Sequence, residues 1–351
     1  MGADGDPEKK KPTFPLSTED IDGFARRAPA LGAVLTGEEA TRIVTAYERE
    51  DVSAIRGQCT FANVAARLNG SVLASAVTAA IILALGVLHP ANTQTPAAEI
   101  AKPISWVFAA LGFFGLLISG YAAALLYELK AGDLARGWME SRARAERLRG
   151  EYFDRIVSRV AAADSVARLA ALDLVNCHLL NDQLDYFIRR GKRHEQDAAK
   201  WLRLAAFATG LASVGVSAGG MAGAVGGDWL LAVAALGSIG TAVASFAAAQ
   251  ESIGQERERS QRFKNNVDAL ELLARKKDDL REALGRNATD ALVTFTTAIN
   301  QQLALELGRF LEGGESIRAS ISKLSEQIEQ SRKKEPEADE PKAEGGVAPA
   351  K

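Results

Sequence analysis

Four stretches of this chain are apolar on every side of a helix. The longest, Ile104–Tyr127 (ISWVFAALGFFGLLISGYAAALLY), contains no Asp, Glu, Lys, Arg or His. As a helix it would reach about 36 Å at about 1.5 Å per residue, enough to cross a hydrocarbon layer of about 30 Å with some tilt. A water-soluble amphipathic helix would show polar positions recurring about every 3.6 residues, and none recur here. Ser71–Leu88, Leu204–Gly226 and Trp229–Ala249 are equally free of charge. The pattern predicts an all-α integral membrane protein with four transmembrane helices in two hairpins and long cytoplasmic helices forming a bundle or coiled coil. His89-Pro90 ends the first span, and Gly226-Gly227-Asp228 supplies a tight turn in the second hairpin.

Around the spans the pattern turns amphipathic. Residues 1–16 are charged and Pro-containing, which predicts a disordered N-terminus. Residues 17–68 read as short amphipathic helices ahead of the membrane. Ser17 is a hydroxyl N-cap followed by Glu19 and Asp20, and Thr36 with Glu39 has the spacing of a capping box. Residues 69–190 form a first unit, hairpin plus stalk helix, with Leu134, Trp138, Leu148, Phe153, Ile156 and Val160 marking the stalk's apolar stripe. Residues 191–312 repeat that order, which points to an internal duplication. In this second stalk Phe263, Val267, Leu270 and Ala274 alternate in steps of four and three, the seam of a coiled coil or bundle. Gly313-Gly314 predicts a break before a last helix over 313–330, whose Ile317, Ile321, Leu324 and Ile328 repeat the seam, and 331–351 reads as a disordered tail.

Charge sets the orientation. Of the 42 Lys and Arg, only Lys102 falls in a loop joining the two helices of a hairpin. Lys130, Arg136, Arg142, Arg144, Arg147 and Arg149 follow the second span, and Arg257, Arg259, Arg262 and Lys264 follow the fourth. Positive charge on the inner side places both termini in the cytoplasm of a multi-pass protein of the inner (plasma) membrane. The formal net charge of −2 gives no general attraction to nucleic acid. The two cysteines, Cys59 and Cys177, have no disulfide or metal spacing and read as reduced packing residues.

Candidate chemistry is sparse. Gly215, Gly219, Gly223 and Gly227 recur every fourth residue and would form a bare ridge for close helix packing or oligomerisation, within one chain or between subunits. Hydroxyls keep to helical faces: Ser71, Ser75 and Thr78; Thr209, Ser213 and Ser217; Ser238, Thr241 and Ser245. Such stripes either line a wet pore or satisfy themselves against their own or neighbouring helices. The spans hold no acid of the kind that couples transport to protons or ions. His89, His178 and His194 are scattered, while Asp173, Asp182, Asp185 and Glu195 read as a solvated helix face. No metal, cofactor or catalytic grouping is expected, and the chain does not read as an enzyme.

The most specific string directly follows the first hairpin: Trp138-Met139-Glu140-Ser141-Arg142-Ala143-Arg144-Ala145-Glu146-Arg147-Leu148-Arg149. With Phe153 it resembles the post-hairpin pattern of the SLATT family, the SMODS- and SLOG-associating two-transmembrane effector domains. Trp138, Arg142, Glu146, Arg149 and Phe153 are the matching positions. A second SLATT-like module is marked by Phe295, Asn300 and Glu306, with Phe310 where a late Trp would stand. The resemblance covers roughly residues 61–312 as two tandem copies. It implies an oligomeric effector of a bacterial conflict or abortive-infection system that opens a pore in the bilayer, with a nucleotide-synthesising or nucleotide-sensing protein as partner. Arg142 and Glu146 would form an ordinary intrahelical pair or join neighbouring hairpins or subunits. The alternative function is a non-catalytic membrane scaffold whose cytoplasmic helices recruit partners.

Overall fold

The computed structural model describes residues 14–88, 98–131, 133–225, 228–286 and 288–333, and among these every regular element is a helix. In chain order these are α1 (Thr18–Arg27), α2 (Pro29–Leu35), α3 (Glu38–Leu88), α4 (Ala98–Ala131), α5 (Leu134–Val160) and α6 (Ser165–Val175). A π-helical turn, Asn176–Asn181, leads into α7 (Asp182–Val225), followed by α8 (Asp228–Gly254), α9 (Glu256–Ala274), α10 (Lys277–Gly285) and α11 (Thr289–Lys333).

Order begins ahead of the predicted boundary at residue 16. Phe14 is 2% exposed, and its ring meets those of Tyr47, Tyr152 and Phe153 at 4.6, 5.1 and 5.8 Å. Leu16 is buried with it and packs in the same core as Ile21. A hydrophobic residue just before an N-cap, packed on the helix it precedes, fixes the entry of the chain. Ser17 then caps α1 in a reciprocal box with Asp20. Thr36 does not cap α3; it ends α2, and its hydroxyl donates to the Gly32 carbonyl at 3.0 Å. Within 17–68, α1 and α2 are the short helices expected, but the helix that follows does not stop ahead of the apolar segment. From Glu38, α3 runs without interruption through Leu88, so cytoplasmic helix and apolar segment are one rod. α11 likewise passes through Gly313-Gly314 without a break, because two glycines flanked by good helix formers weaken a helix without ending it.

Three helices, α3, α4 and α7, are long and apolar enough to span a membrane. Large apolar side chains stand exposed on them, among them Trp106, Leu116 and Tyr127 of α4 and Leu202, Phe207 and Val216 of α7. So much contiguous apolar surface marks a membrane protein. The described side chains of α8 are apolar over the shorter stretch Gly237–Ala248. α3 lies against α4 and α8, and α8 against α7, giving the order α4–α3–α8–α7.

Below the apolar helices, α5 and α9 continue the antiparallel course of α4 and α8 along α3 and α7, and α11 packs on both α5 and α9. Each of these junctions is made at a residue with left-handed backbone, Asp133 (φ 40°) between α4 and α5 and Gln255 (φ 47°) between α8 and α9. The two halves therefore turn the same corner by the same means. Tyr152, Phe153, Leu172, Leu179, Leu270, Leu284, Leu292 and Ile299 fill a single core drawn from both halves. Within it Leu270 is fully buried, with Phe263, Val267 and Ala274 partly buried beside it.

Candidate functional site

The stalk motif lies where α5 meets α3, α11 and the π-helical turn. Trp138, nearest the corner, packs over Gly57 of α3, where an added Cβ would come within 2.7 Å of the Trp138 Cβ. Its ring sits 6.4 Å from Phe61 and 5.4 Å from Phe310, with the indole N–H buried and unpartnered among the described residues. Phe310, the residue standing where a second Trp was expected, thus touches the first one.

One turn further along α5, Arg142 bonds Asp51 of α3 at 3.0 Å and Glu146 of its own helix at 2.5 Å. Both carboxylates are largely screened from solvent, and Glu146 above all holds the guanidinium protonated. Neighbouring Arg144 reaches Glu50 at 3.0 Å, and Arg155 and Arg159 both reach Glu39. Acids along α3 are thereby paired with arginines along α5. Tyr47 sits within this array, its phenol pushed up to about 12 by burial first and by Glu146 and Asp51 next.

Arg149 is the most deeply buried cation of the motif, at 5% exposed. Its guanidinium donates to the His178 carbonyl at 2.9 Å and to Asp182 at 2.7 Å, and it stands 5.7 Å from the centre of the Phe14 ring. The π-helical turn explains the arrangement, since displaced i→i+5 bonding leaves carbonyl oxygens able to accept from side chains where a regular helix would not offer them. Asp182 is consequently a half-buried partner of Arg149 and not part of a solvated face; His178 is buried. Asp173 and Glu195 pair with Arg281 at 2.6 Å and Lys264 at 3.1 Å. Phe153, with no exposed surface, completes the aromatic cluster around Phe14.

The second half builds a comparable layer. Lys264 lies as far beyond Gln255 as Arg142 lies beyond Asp133, and each pairs with an acid on the long helix beside it. His194 of α7 bonds Glu256 at the second corner. In α11, Phe295 is buried, and Asn300 donates to the Gly150 carbonyl of α5 at 3.2 Å. Glu306 accepts from Asn266 at 2.7 Å, and Gln302 donates to the same asparagine at 3.0 Å. Burial raises the Glu306 carboxyl above its usual range, against the opposing pull of Asn266, Arg262 and Arg309.

The glycine ridge meets α8 of the same chain. A Cβ on Gly237 would lie 2.7 Å from the Gly215 Cα, and one on Gly240 would lie 2.7 Å from the Ala208 carbonyl oxygen. At Gly219 a Cβ would find only the Ala234 methyl at 3.4 Å, an ordinary contact. Gly223 is helical, and Gly227 with the predicted turn at 226–227 lies outside the described residues. The hydroxyl stripes turn back on their own helices: Ser71, Thr78, Thr209, Ser213, Ser217 and Thr241 each donate to the carbonyl one turn earlier. Ser75 and Ser119 instead join α3 to α4 at 2.8 Å.

The sequence pattern did not single out Phe14, Asp51, Gly57, Gly237 or Gly240, and it marked Tyr47 only as an apolar position of a helix. A signal existed for several of them. An apolar FPL run precedes the Ser17 cap, and a lone glycine inside a helical pattern marks a close approach. Cys59 and Cys177 are free, as their spacing predicts, but exposed and not packed. Among the described residues no group of three or more His, Cys, Asp and Glu converges as a metal site would. What the arrangement can do is mechanical: it clamps the stalk of each half to a helix that continues into the apolar layer. Compared with models of protein families, with curated proteins and with solved structures, the chain matches none.

Proposed function

We propose that the chain is an oligomeric membrane effector that opens a pore, or otherwise breaches the membrane, on a cytoplasmic signal. In this reading α8 is a fourth span beside α3, α4 and α7, and the bundle and both termini lie in the cytoplasm. The membrane is the bacterial inner membrane, and a nucleotide-synthesising or nucleotide-sensing protein supplies the trigger, as the SLATT resemblance implies. The observation that carries the reading is continuity. α3 and α7 run unbroken from the buried core of the bundle into the apolar layer, while α4 and α8 are set off by the corners at Asp133 and Gln255. A shift in the bundle is delivered to one helix of each hairpin, and the other is free to pivot.

One observation favours a scaffold that recruits partners without conducting. The hydroxyls at Ser71, Thr78, Thr209, Ser213 and Ser217 spend their protons on their own helices, leaving none of these donors to line a water path. A dye-based depolarisation assay separates the two. Cells expressing the chain beside its natural gene neighbours should depolarise when triggered, with the protein in the membrane fraction and a reporter at Gly227 outside. Membrane-resident protein that never depolarises those cells leaves the scaffold in place of the pore. A reporter at Gly227 found inside removes the four-span topology.

A further inference from the structure

α3 and α4 are not in contact along their whole length. On the cytoplasmic side Val64 and Leu68 of α3 pack with Leu125, Leu126 and Leu129 of α4, and further along Ser75 bonds Ser119. Flanking this seam is an open groove of about 420 Å³, lined by Arg67, Gly70, Ser71 and Ala74 on α3 and by Leu117 and Tyr121 on α4. Its floor is hollow for a simple reason: only the small residues Gly70, Ser71 and Ala74 line about one turn of α3 there, and a Cβ placed on Gly70 would meet nothing within 4 Å. The Ser71 hydroxyl donates to the Arg67 carbonyl at 2.9 Å, so it presents no unsatisfied proton to the groove. Over Arg67–Ala74 the groove extends about 10 Å along the helix axis.

Arg67 stands at one end of this apolar channel. It is exposed, and among the described residues no carboxylate pairs with its guanidinium. It is the last cation of α3 before the uncharged segment Ser71–Leu88. An apolar channel opening sideways from a membrane helix, with a free guanidinium at its interfacial end, is complementary to one kind of molecule. That molecule has an acyl chain and an anionic phosphate head. Guanidinium groups favour phosphate through paired donors in a planar fork, and a hollow of this size is within the range of about 300–1,000 Å³ that small ligands occupy.

We propose that the α3–α4 groove is a binding site for an anionic phospholipid of the cytoplasmic leaflet, its headgroup on Arg67 and an acyl chain lying along Gly70, Ser71 and Ala74. The proposal rests on the membrane-spanning reading of α3 and α4 and adds a specific lipid to it. A lipid seated there contacts both helices of the first hairpin, about three turns of α4 from the corner at Asp133. The anionic lipid content of the leaflet thereby enters the equilibrium of the hairpin, independently of any trigger arriving through the bundle.

The test is native mass spectrometry of the full chain in mild detergent, with phosphatidylglycerol or phosphatidylcholine added at equal concentration. Phosphatidylglycerol should be retained about fivefold over phosphatidylcholine, the preference expected of one basic residue near the membrane surface. Arg67→Gln should remove the preference while leaving membrane insertion intact. Gly70→Leu, which fills open space, should lower retention of both lipids without disturbing the helix. Equal retention of phosphatidylglycerol by the wild type and both variants, all of them membrane-resident, overturns the lipid site and leaves the spanning topology standing. A smaller oligomer for Gly70→Leu with unchanged lipid binding overturns it in favour of a second copy of the chain in the groove. Wild-type protein recovered without detergent in the soluble fraction removes the spanning reading and the lipid site together.

Discussion

A buried charge is costly unless it is paired, and the residues beneath the apolar helices respect that rule in two ways. Arg149 is paired with Asp182 at 2.7 Å and donates to the His178 carbonyl as well; removing one partner of such a pair costs about 3–5 kcal/mol. Glu306 takes the other course. Among the described residues its one side-chain donor is Asn266 at 2.7 Å, and burial raises its pKa. A carboxyl whose folded-state pKa exceeds its unfolded value stabilises the fold most below the unfolded value. That contribution is lost as pH rises through the folded pKa. Thermal unfolding of the detergent-solubilised chain should therefore show stability falling as pH rises from the ordinary Glu range near 4.5. Glu306→Gln keeps an oxygen for Asn266 and removes the ionisation, so it should flatten that part of the profile and raise stability at neutral pH. An unchanged pH slope in the variant would assign the dependence to other groups. The motif residues were legible in the sequence as an arginine-rich face. Their partners were not, because Asp51, His178 and Asp182 come from other helices and no local spacing announces them.

At the level of the helix, glycine position decides more than glycine content. The every-fourth-residue ridge on α7 is visible in sequence, yet its members are not equivalent in the fold. Gly215 crosses α8 backbone to backbone against Gly237, whereas Gly219 has room for a methyl and Gly220 faces open space. Gly215→Ala would place a Cβ inside the Gly237 backbone, which cannot rotate away as a side chain can, and the helices would have to part. Overpacking of this kind costs about 1–3 kcal/mol. Gly220→Ala should be neutral or stabilise by up to about 1 kcal/mol, because it only restricts the unfolded chain. Thermal unfolding of the two variants checks the contrast, and a Gly215→Ala protein as stable as wild type would mean the crossing is looser than it looks. Helix existence was readable from the uncharged runs, and so was the capped start of α1. Helix ends were read less well. Thr36-Gly37-Glu38-Glu39 has the letters of a capping box, but the Thr36 hydroxyl is already committed to Gly32. Gly313-Gly314 looks like a stop, but no proline or left-handed cap accompanies it, and α11 continues. The left-handed residues that do end helices here are Asp133 and Gln255, and at neither site is there a glycine to give it away.

Across the whole molecule, the halves share a plan of one long continuous helix, one helix broken off at a corner and one stalk that carries on from that corner along the long helix. Two rods, α3 and α7, join the bundle core to the apolar layer, and α11 binds the two stalks to each other. If signals pass through such a rod, its backbone continuity is the property that matters, more than any one side chain between core and membrane. Ala62 tests this. It is exposed on α3, beyond the Asp51–Arg142 pair and before the apolar segment begins at Ser71. Proline there removes one backbone hydrogen bond and clashes with the preceding turn, at a cost of about 3 kcal/mol within a helix. Ala62→Ser keeps the N–H and changes the side chain by a single oxygen. In the depolarisation assay Ala62→Pro should reach the membrane fraction in normal amount and fail to depolarise triggered cells, while Ala62→Ser should behave as wild type. Loss with both substitutions would locate the effect in a side-chain contact at this position. Full depolarisation by Ala62→Pro would mean that α3 does not carry the signal, and transmission would then rest on α7 or on the stalk contacts around Trp138 and Phe310.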